Sequence, residues 1–311
     1  MGFQKKGTIR DFFEIFVLAC FWYGTSFVTD TLNKRIQTSF SFPITLTLWQ
    51  FSVGAMFNFV ALRLFGLVPF QKLERQHSNM ILIVSVCWTT GFLCTNYSFG
   101  RVAVSFTHSV KATEPLFTVA LCYLINREIF PKAVYLSLIP IVVGIVLVCM
   151  NEVSFQLLGF AFAALSNISF ATRSVLSKTI FAKSFDHFNL FMYISFFSAL
   201  ATIPLWCYLE VPVLYARGYR SEDVLSYQFL ALNGLTHCLY NQFSFMILAR
   251  ISTLAHSIIN AARRFFVISL TVFLFGHPFN RLNMFGTALL MIGIVTYAQT
   301  KYAASAKKLK P

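Results

Sequence analysis

Acidic side chains are scarce in this sequence. Aspartate and glutamate together number 11 in 311 residues, against 25 lysines and arginines, and charged residues of both signs make up only 12%. A soluble globular domain carries roughly 25%, so this chain is too poor in charge to clothe a water-facing surface. Also missing is any CxxC pair. The seven cysteines, at 20, 87, 94, 122, 149, 207 and 238, fall in or beside apolar runs and read as small hydrophobes rather than disulfide or metal partners. His237 and Cys238 are adjacent, which is no structural-zinc spacing. There is no His-box, no paired catalytic carboxylates and no nucleophile elbow, so enzyme chemistry is not expected. Neither a zinc finger, an RNP-like strand nor a basic heptad helix accompanies the net charge of +14, which argues against a nucleic-acid partner.

What is abundant is apolar surface. Hydrophobic residues make up 57% of the chain, phenylalanine alone occurs 37 times, and the mean hydropathy is +0.68. A lipid bilayer is the expected solvent. A membrane-crossing helix needs roughly 20 predominantly apolar residues, and ten such stretches are marked: 11–29, 44–65, 79–99, 102–125, 131–150, 155–177, 188–209, 228–248, 252–275 and 282–300. The positively charged start resembles a signal peptide but reads as the beginning of the first span, and no serine-rich transit segment precedes it. An even number of spans puts both termini on one side. Loops on that side carry 15 basic residues and the opposite loops 6, which places the termini on the cytosolic side of an ordinary membrane.

The two halves of the chain resemble each other. HSVKATEPLFTVALCYLI begins at His108 and HSIINAARRFFVISLTVFLFG at His256, an offset of 148; VVGIVLV and MIGIVTY place Gly144 and Gly293 at an offset of 149. With five spans in each half (1–152 and 153–311), the second copy enters the membrane in the opposite sense. An inverted repeat of this kind is a transporter architecture with its binding site near the midplane. The expected fold is therefore an all-α integral membrane protein of ten helices in a 5+5 inverted repeat.

Four cations fall inside spans: Lys111, Arg173, Arg263 and Arg264. Each costs about 2.5–3.5 kcal/mol at the centre of a helix in lipid, so all four are expected to face protein or water. Glu114 is the one acid read as well embedded, three residues beyond Lys111 and next to Pro115, with His108 three residues before Lys111. Lys111 is either half of a structural pair with Glu114 or a ligand lysine. Arg263 and Arg264 point about 100° apart on a helix, yet their long stems can reach one large anion. Thr95 and Asn96 interrupt the third span, and Tyr240, Asn241 and Gln242 the eighth; they serve either helix packing or a ligand. The embedded cations outnumber the acid, and the missing negative charge is most simply a small organic anion, a phosphate ester above all.

The stretches TNYSFGRVAVSFTHSVKATEPLF, YLSLIPIVVGIVLV, NEVSF, SNISFATRSVLSK, YNQFSFMILARIS and HSIINAARRFFVIS, in that order, resemble the plastid phosphate-translocator family within the drug/metabolite transporter fold. MILARIS resembles the phosphoenolpyruvate branch most closely. The resemblance implies counter-exchange of inorganic phosphate for a phosphorylated C3 metabolite, namely phosphoenolpyruvate, triose phosphate or 3-phosphoglycerate, without a cofactor or metal. Thr95, Lys111, Tyr240 and Arg264 match the family's phosphate-binding positions, and Arg173 matches the arginine that meets the other end of the substrate. Arg263 departs from the family's usual lysine, and Phe92 stands where the triose-phosphate branch has histidine. His108 and Glu114 are supporting candidates. A plastid-type envelope and a monomeric working unit are expected. Hexose-phosphate, pentose-phosphate or nucleotide-sugar carriage, or a Golgi or ER membrane, is the alternative within the same fold; an anion channel or non-transporting scaffold is the alternative outside it.

Overall fold

Prolines and glycines divide the apolar runs into helices. The computed structural model describes residues 9–66, 68–150, 155–218, 223–275 and 281–308. The division at 152/153, most of NEVSF, Lys5, Lys6, Arg220 and Lys310 lie outside the described residues. Among the described residues every regular element is a helix. Thirteen helical segments follow in order: α1 (Ile9–Ser39), α2 (Pro43–Arg63), α3 (Arg75–Arg101), α4 (Val104–Lys111), α5 (Glu114–Asn126), α6 (Lys132–Leu136), α7 (Ile139–Met150), α8 (Leu157–Phe181), α9 (His187–Leu209), α10 (Val211–Arg217), α11 (Asp223–Arg250), α12 (Thr253–Phe275) and α13 (Arg281–Lys308).

Each expected span coincides with one helix or a broken pair. The fourth is split between α4 and α5 at Ala112–Thr113, where Pro115 sits in the first turn of α5, and the fifth between α6 and α7, where Pro140 follows Ile139. Proline lacks the amide hydrogen that would continue the preceding turn, so a new helix starts at it. By length and composition, five segments among the described residues suffice to cross a membrane: Phe12–Ser39, Pro43–Arg63, His77–Arg101, Lys132–Met150 and His187–Leu209. The remaining expected spans are diluted by the polar and charged residues that build the interior, such as Asn167 and Arg173 on α8 or His256, Asn260, Arg263 and Arg264 on α12.

Burial departs from that in a soluble protein. Phe12, Phe13, Phe16, Met56, Phe59, Ile83, Val86 and Ile292 are exposed, whereas a long series of Ser, Thr, Asn, Gln and charged residues is buried. Many buried hydroxyls return a hydrogen bond to the carbonyl four residues earlier, as Ser85 does to Ile81, Thr89 to Ser85 and Thr202 to Ser198. That removes the cost of an unpaired donor in a low-dielectric interior. Glu210 serves α2 from a distance. Its carboxylate accepts from the amides of Ile44 (2.8 Å) and Thr45 (2.6 Å), at a helix start with no side-chain cap of its own.

The most extensive pairings are α3 with α8, α1 with α11, α2 with α9, and α7 with α13. They are unchanged when the first five expected spans are exchanged with the last five, as a pseudo-symmetric repeat requires. The α7–α13 crossing carries the same relation at residue level. A Cβ on Gly144 would stand 2.7 Å from the Leu290 amide nitrogen, and one on Gly293, 2.8 Å from that of Ile141. Gly144 and Gly293 are 149 apart in sequence, and so are Ile141 and Leu290. The two ends of the molecule also share a device. Lys34 donates to the carbonyls of Phe99 (2.8 Å) and Val102 (3.4 Å) at the end of α3, and Lys178 to those of Leu248 (3.0 Å) and Ala249 (3.1 Å) near the end of α11. A lysine there satisfies orphan carbonyls and complements the helix dipole.

Since backbone atoms crowd both glycines at under 3 Å, Gly144→Ala and Gly293→Ala are expected to destabilise by similar amounts, about 1–3 kcal/mol each. Gly24→Ala, with nothing within 4 Å of its Cβ, is expected to be neutral or slightly stabilising. Thermal unfolding in detergent checks this; a large effect at only one of the two paired glycines contradicts the repeated crossing.

Candidate functional site

Three helices deliver the four embedded cations to one place. α4 ends in Lys111, α8 carries Arg173 in its second half, and α12 carries Arg263 and Arg264. None is more than 7% exposed. All four line a small cavity of about 40 Å³, together with Trp22 of α1, Phe92 of α3, Phe170 of α8, Tyr240, Asn241 and Ser244 of α11, and Asn260 of α12. Its walls thus come from both halves of the chain. A space of that size holds about three waters, and its lining residues are mostly buried, so this is a closed arrangement.

Lys111 and Glu114 do not pair. The helix break at Ala112–Thr113 puts them on separate segments, and Glu114 opens α5 pointing at α12 instead. Its Oε2 accepts from Arg264 Nη2 at 2.5 Å and from Asn260 Nδ2 at 2.5 Å. Arg264 Nη1 donates to Asn167 Oδ1 at 3.1 Å, and Asn167 in turn donates to Thr113. Lys111 instead donates to Thr95 Oγ1 at 2.6 Å and lies 4.8 Å from the centre of the Phe170 ring. Thr95 gives its own proton to Gly91 O at 2.7 Å, so in this state it holds the lysine rather than lining the cavity.

Arg263 stays inside the protein and does not reach the membrane edge. It donates to Ser26 Oγ, to Asn260 Oδ1 at 3.0 Å, and lies 3.7 Å from Asp30 Oδ2. Its guanidinium also stands over Trp22 and Tyr240. Arg173 lies between Trp88 (5.2 Å) and Phe245 (5.0 Å), and its Nε and Nη1 have no hydrogen-bond partner. Aromatic faces stabilise such a cation by about 2 kcal/mol when desolvated, but leave its donors open to an acceptor. Phe92 belongs to the same aromatic group, packing edge-on against Trp88, Phe170 and His237.

One residue escaped the sequence reading. The first expected span ended at residue 29, yet α1 runs on to Ser39 and brings a second acid, Asp30, into the interior at 8% exposure. Glu114 is therefore not alone. Asp30 Oδ2 meets His108 Nε2 at 3.2 Å and accepts from Ser26 at 3.2 Å. The signal was present. Trp22, Ser26, Asp30, Asn33 and Gln37 recur at helical spacing and are all buried, a polar stripe that a lipid-facing helix would not carry. His108 and His256 occupy corresponding places in the two halves but have different partners: His256 meets Ser244 Oγ at 3.0 Å and stacks on Trp22.

The charge balance follows. Four cations at the cavity are opposed by two carboxylates, Glu114 and Asp30, so with histidine counted as neutral the formal charge is two positive in excess.

Comparisons with known proteins bear on the family and the fold. Residues 13–298 match the model of the "Triose-phosphate Transporter family". The chain is 34% identical over 321 aligned positions to phosphoenolpyruvate/phosphate translocator 1, chloroplastic, of Oryza sativa subsp. japonica, covering 100% of this chain and 76% of that protein. It is 32% identical to the chloroplastic triose phosphate/phosphate translocator of Solanum tuberosum, covering 97% and 72%. A crystal structure bearing no functional description superposes with a TM-score of 0.64 at 14% identity, over 93% of this chain and 99% of that one. It supports the fold alone.

Removing one partner of a buried ion pair leaves the other charge bare. Glu114→Gln is expected to destabilise by about 3–5 kcal/mol. Adding Arg264→Gln to it is expected to cost less than the sum of the two single changes. Thermal unfolding of the four proteins of the cycle reads this coupling, and strict additivity would contradict the pair.

Proposed function

The chain belongs to the triose-phosphate transporter family, and from that premise we propose that it is an antiporter exchanging inorganic phosphate for a phosphorylated three-carbon metabolite. The observation that carries this reading is the closed cavity with four cations and two uncompensated positive charges. A phosphate monoester dianion supplies the missing two charges, and its oxygens suit guanidinium and ammonium donors. The chemistry is binding, without covalent bond making, so the protein acts as a carrier and not as an enzyme.

In this reading Arg264, Arg263 and Lys111 hold the phosphoryl group, with Tyr240 adding a hydroxyl from α11. Thr95 aims the lysine and takes part directly once Lys111 turns toward the anion. Arg173, with open donors between two aromatic faces, meets the carboxylate or carbonyl end. Phe92 limits the size of that end through the aromatic group it belongs to. His108 and Glu114 support the cations. The ten expected spans form a 5+5 inverted repeat, with the halves 1–152 and 153–311 meeting at the cavity. The symmetric helix pairings, the α7–α13 crossing and the matched caps by Lys34 and Lys178 support that arrangement.

Obligatory exchange has a physical basis here. An empty cavity leaves like charges facing each other in a low dielectric, which resists closure; a bound anion offsets them and favours the closed state. The relatives are named as chloroplastic translocators, which supports a plastid envelope as the membrane, with phosphate and small phosphorylated anions as the soluble partners.

The test is uptake of labelled phosphate into liposomes containing the purified protein. Separate batches are preloaded with phosphate, phosphoenolpyruvate, dihydroxyacetone phosphate, 3-phosphoglycerate, a hexose phosphate or nothing. Uptake is expected with internal phosphate or a C3 phosphate and not with empty vesicles. Lys111→Met and Arg264→Gln are each expected to reduce it roughly 10- to 100-fold, the loss of one charge-assisted contact. Equal uptake into empty vesicles would falsify antiport and indicate a channel.

A further inference from the structure

Asp30 is the buried acid that the proposed phosphate contacts do not use. It does not line the cavity; it stands behind Arg263, on α1, with His108 of α4 as its other neighbour. We propose that Asp30 sets the net charge the cavity presents and thereby which charge form of a C3 phosphate the carrier prefers. This rests on the transport reading above and deepens it.

The geometry separates a charge role from a holding role. Arg263 is fixed by closer contacts than Asp30: the Ser26 hydroxyl at one guanidinium nitrogen and Asn260 Oδ1 at 3.0 Å on another, while its distance to the Asp30 carboxylate is 3.7 Å. Asp30 Oδ2 also accepts from Ser26, a contact that an amide oxygen in its place keeps, while the charge of the carboxylate is felt across the short span of low-dielectric interior between it and the bound anion. Lys111 lies one turn beyond His108 on the same short helix and is subject to the same field. Glu114 is different. It makes a close two-donor contact with Arg264 and Asn260, so its removal changes geometry as well as charge. An asparagine at 30 keeps an acceptor for Ser26, so there the charge can be altered with the donors left standing.

The consequence is a rule for selectivity. A phosphate monoester is a dianion above its second pKa of about 6, and a carboxylate on the same skeleton makes it a trianion. With Asp30 ionised and His108 neutral, the cavity balances two negative charges. A dianion leaves it neutral, whereas a trianion leaves an excess negative charge inside the protein. Without the Asp30 charge the balance moves to three, and the trianion gains relative to the dianion. Asp30 is thus a positioning residue in the electrostatic sense: it acts on the substrate through the cavity cations rather than by contact.

The experiment uses vesicles containing the whole protein and labelled phosphate exchanging against internal phosphate, at pH 8. Glycerol 3-phosphate (dianion) and 3-phosphoglycerate (trianion) are external competitors, and the readout is the ratio of their inhibition constants. Wild-type phosphate exchange is measured first, because its absence overturns the transport reading and this inference with it. Asp30→Asn is expected to shift the ratio about tenfold in favour of the trianion, and Asp30→Glu, which keeps the charge, to retain the wild-type ratio. An equal loss of affinity for both competitors, with the ratio unchanged, overturns the Asp30 inference alone and leaves a structural role. If Asp30→Asn does not yield folded carrier, the same ratio is read in Asp30→Ser, which removes the charge and keeps an oxygen acceptor; the tenfold shift toward the trianion is expected there too, and an unchanged ratio overturns the inference.

Discussion

An arginine that is 1% exposed between apolar helices must be given a counter-charge, and Glu114 gives it to Arg264 at 2.5 Å. Much of the interior is arranged around that contact. Pro115 ends one helix and starts another at the point where Glu114 must leave the face of Lys111 and turn to α12. Asn260 donates to the same carboxylate oxygen, and Asn167 accepts from Arg264 and ties α8 to the pair. The short break in the fourth span is thus the local cost of bringing an acid from one half of the chain to a cation from the other.

With Glu114 committed, the cavity is left with more cations than acids. Lys111 and Arg173 are kept in place without being neutralised, and Arg263 has only the more distant Asp30 as an acid. Lys111 is held by a hydroxyl and an aromatic face, Arg173 by two aromatic faces, and Arg263 by a hydroxyl, an amide and a distant carboxylate. Neutral partners fix position and leave charge available, the condition for a ligand to become the counter-ion. The same economy explains why the lipid-facing surface carries phenylalanine and leucine while the hydrogen-bonding residues lie inside.

Much of this was legible in the sequence because it rests on composition and on proline. The membrane setting, the positions of the spans and the four cations that converge all follow from where charge is tolerated at all. The glycines at 144 and 293 proved to lie at one crossing, each against the backbone of the other helix, so their shared offset recorded a contact. Two things were not legible. Lys111 and Glu114 share a face only if the helix is continuous, and its interruption at Ala112–Thr113 separates them. Asp30 lies beyond the span that hydropathy marks because apolar character falls after Val28, whereas α1 continues for nearly three more turns as a polar stripe packed inside the protein. Hydropathy finds where a helix meets lipid; it does not find where a helix goes on inside the protein.

The central claim is that an anion completes the charge balance of the interior, and the most direct measurement is the thermal stability of the purified protein in detergent as inorganic phosphate is titrated at constant ionic strength. A ligand that binds the folded state alone stabilises it by about 2.7 kcal/mol at a hundred times its dissociation constant. The account predicts a saturable rise in melting temperature with phosphate, absent with chloride and abolished in Lys111→Met. A melting temperature indifferent to phosphate, or one that rises equally with chloride, would contradict it.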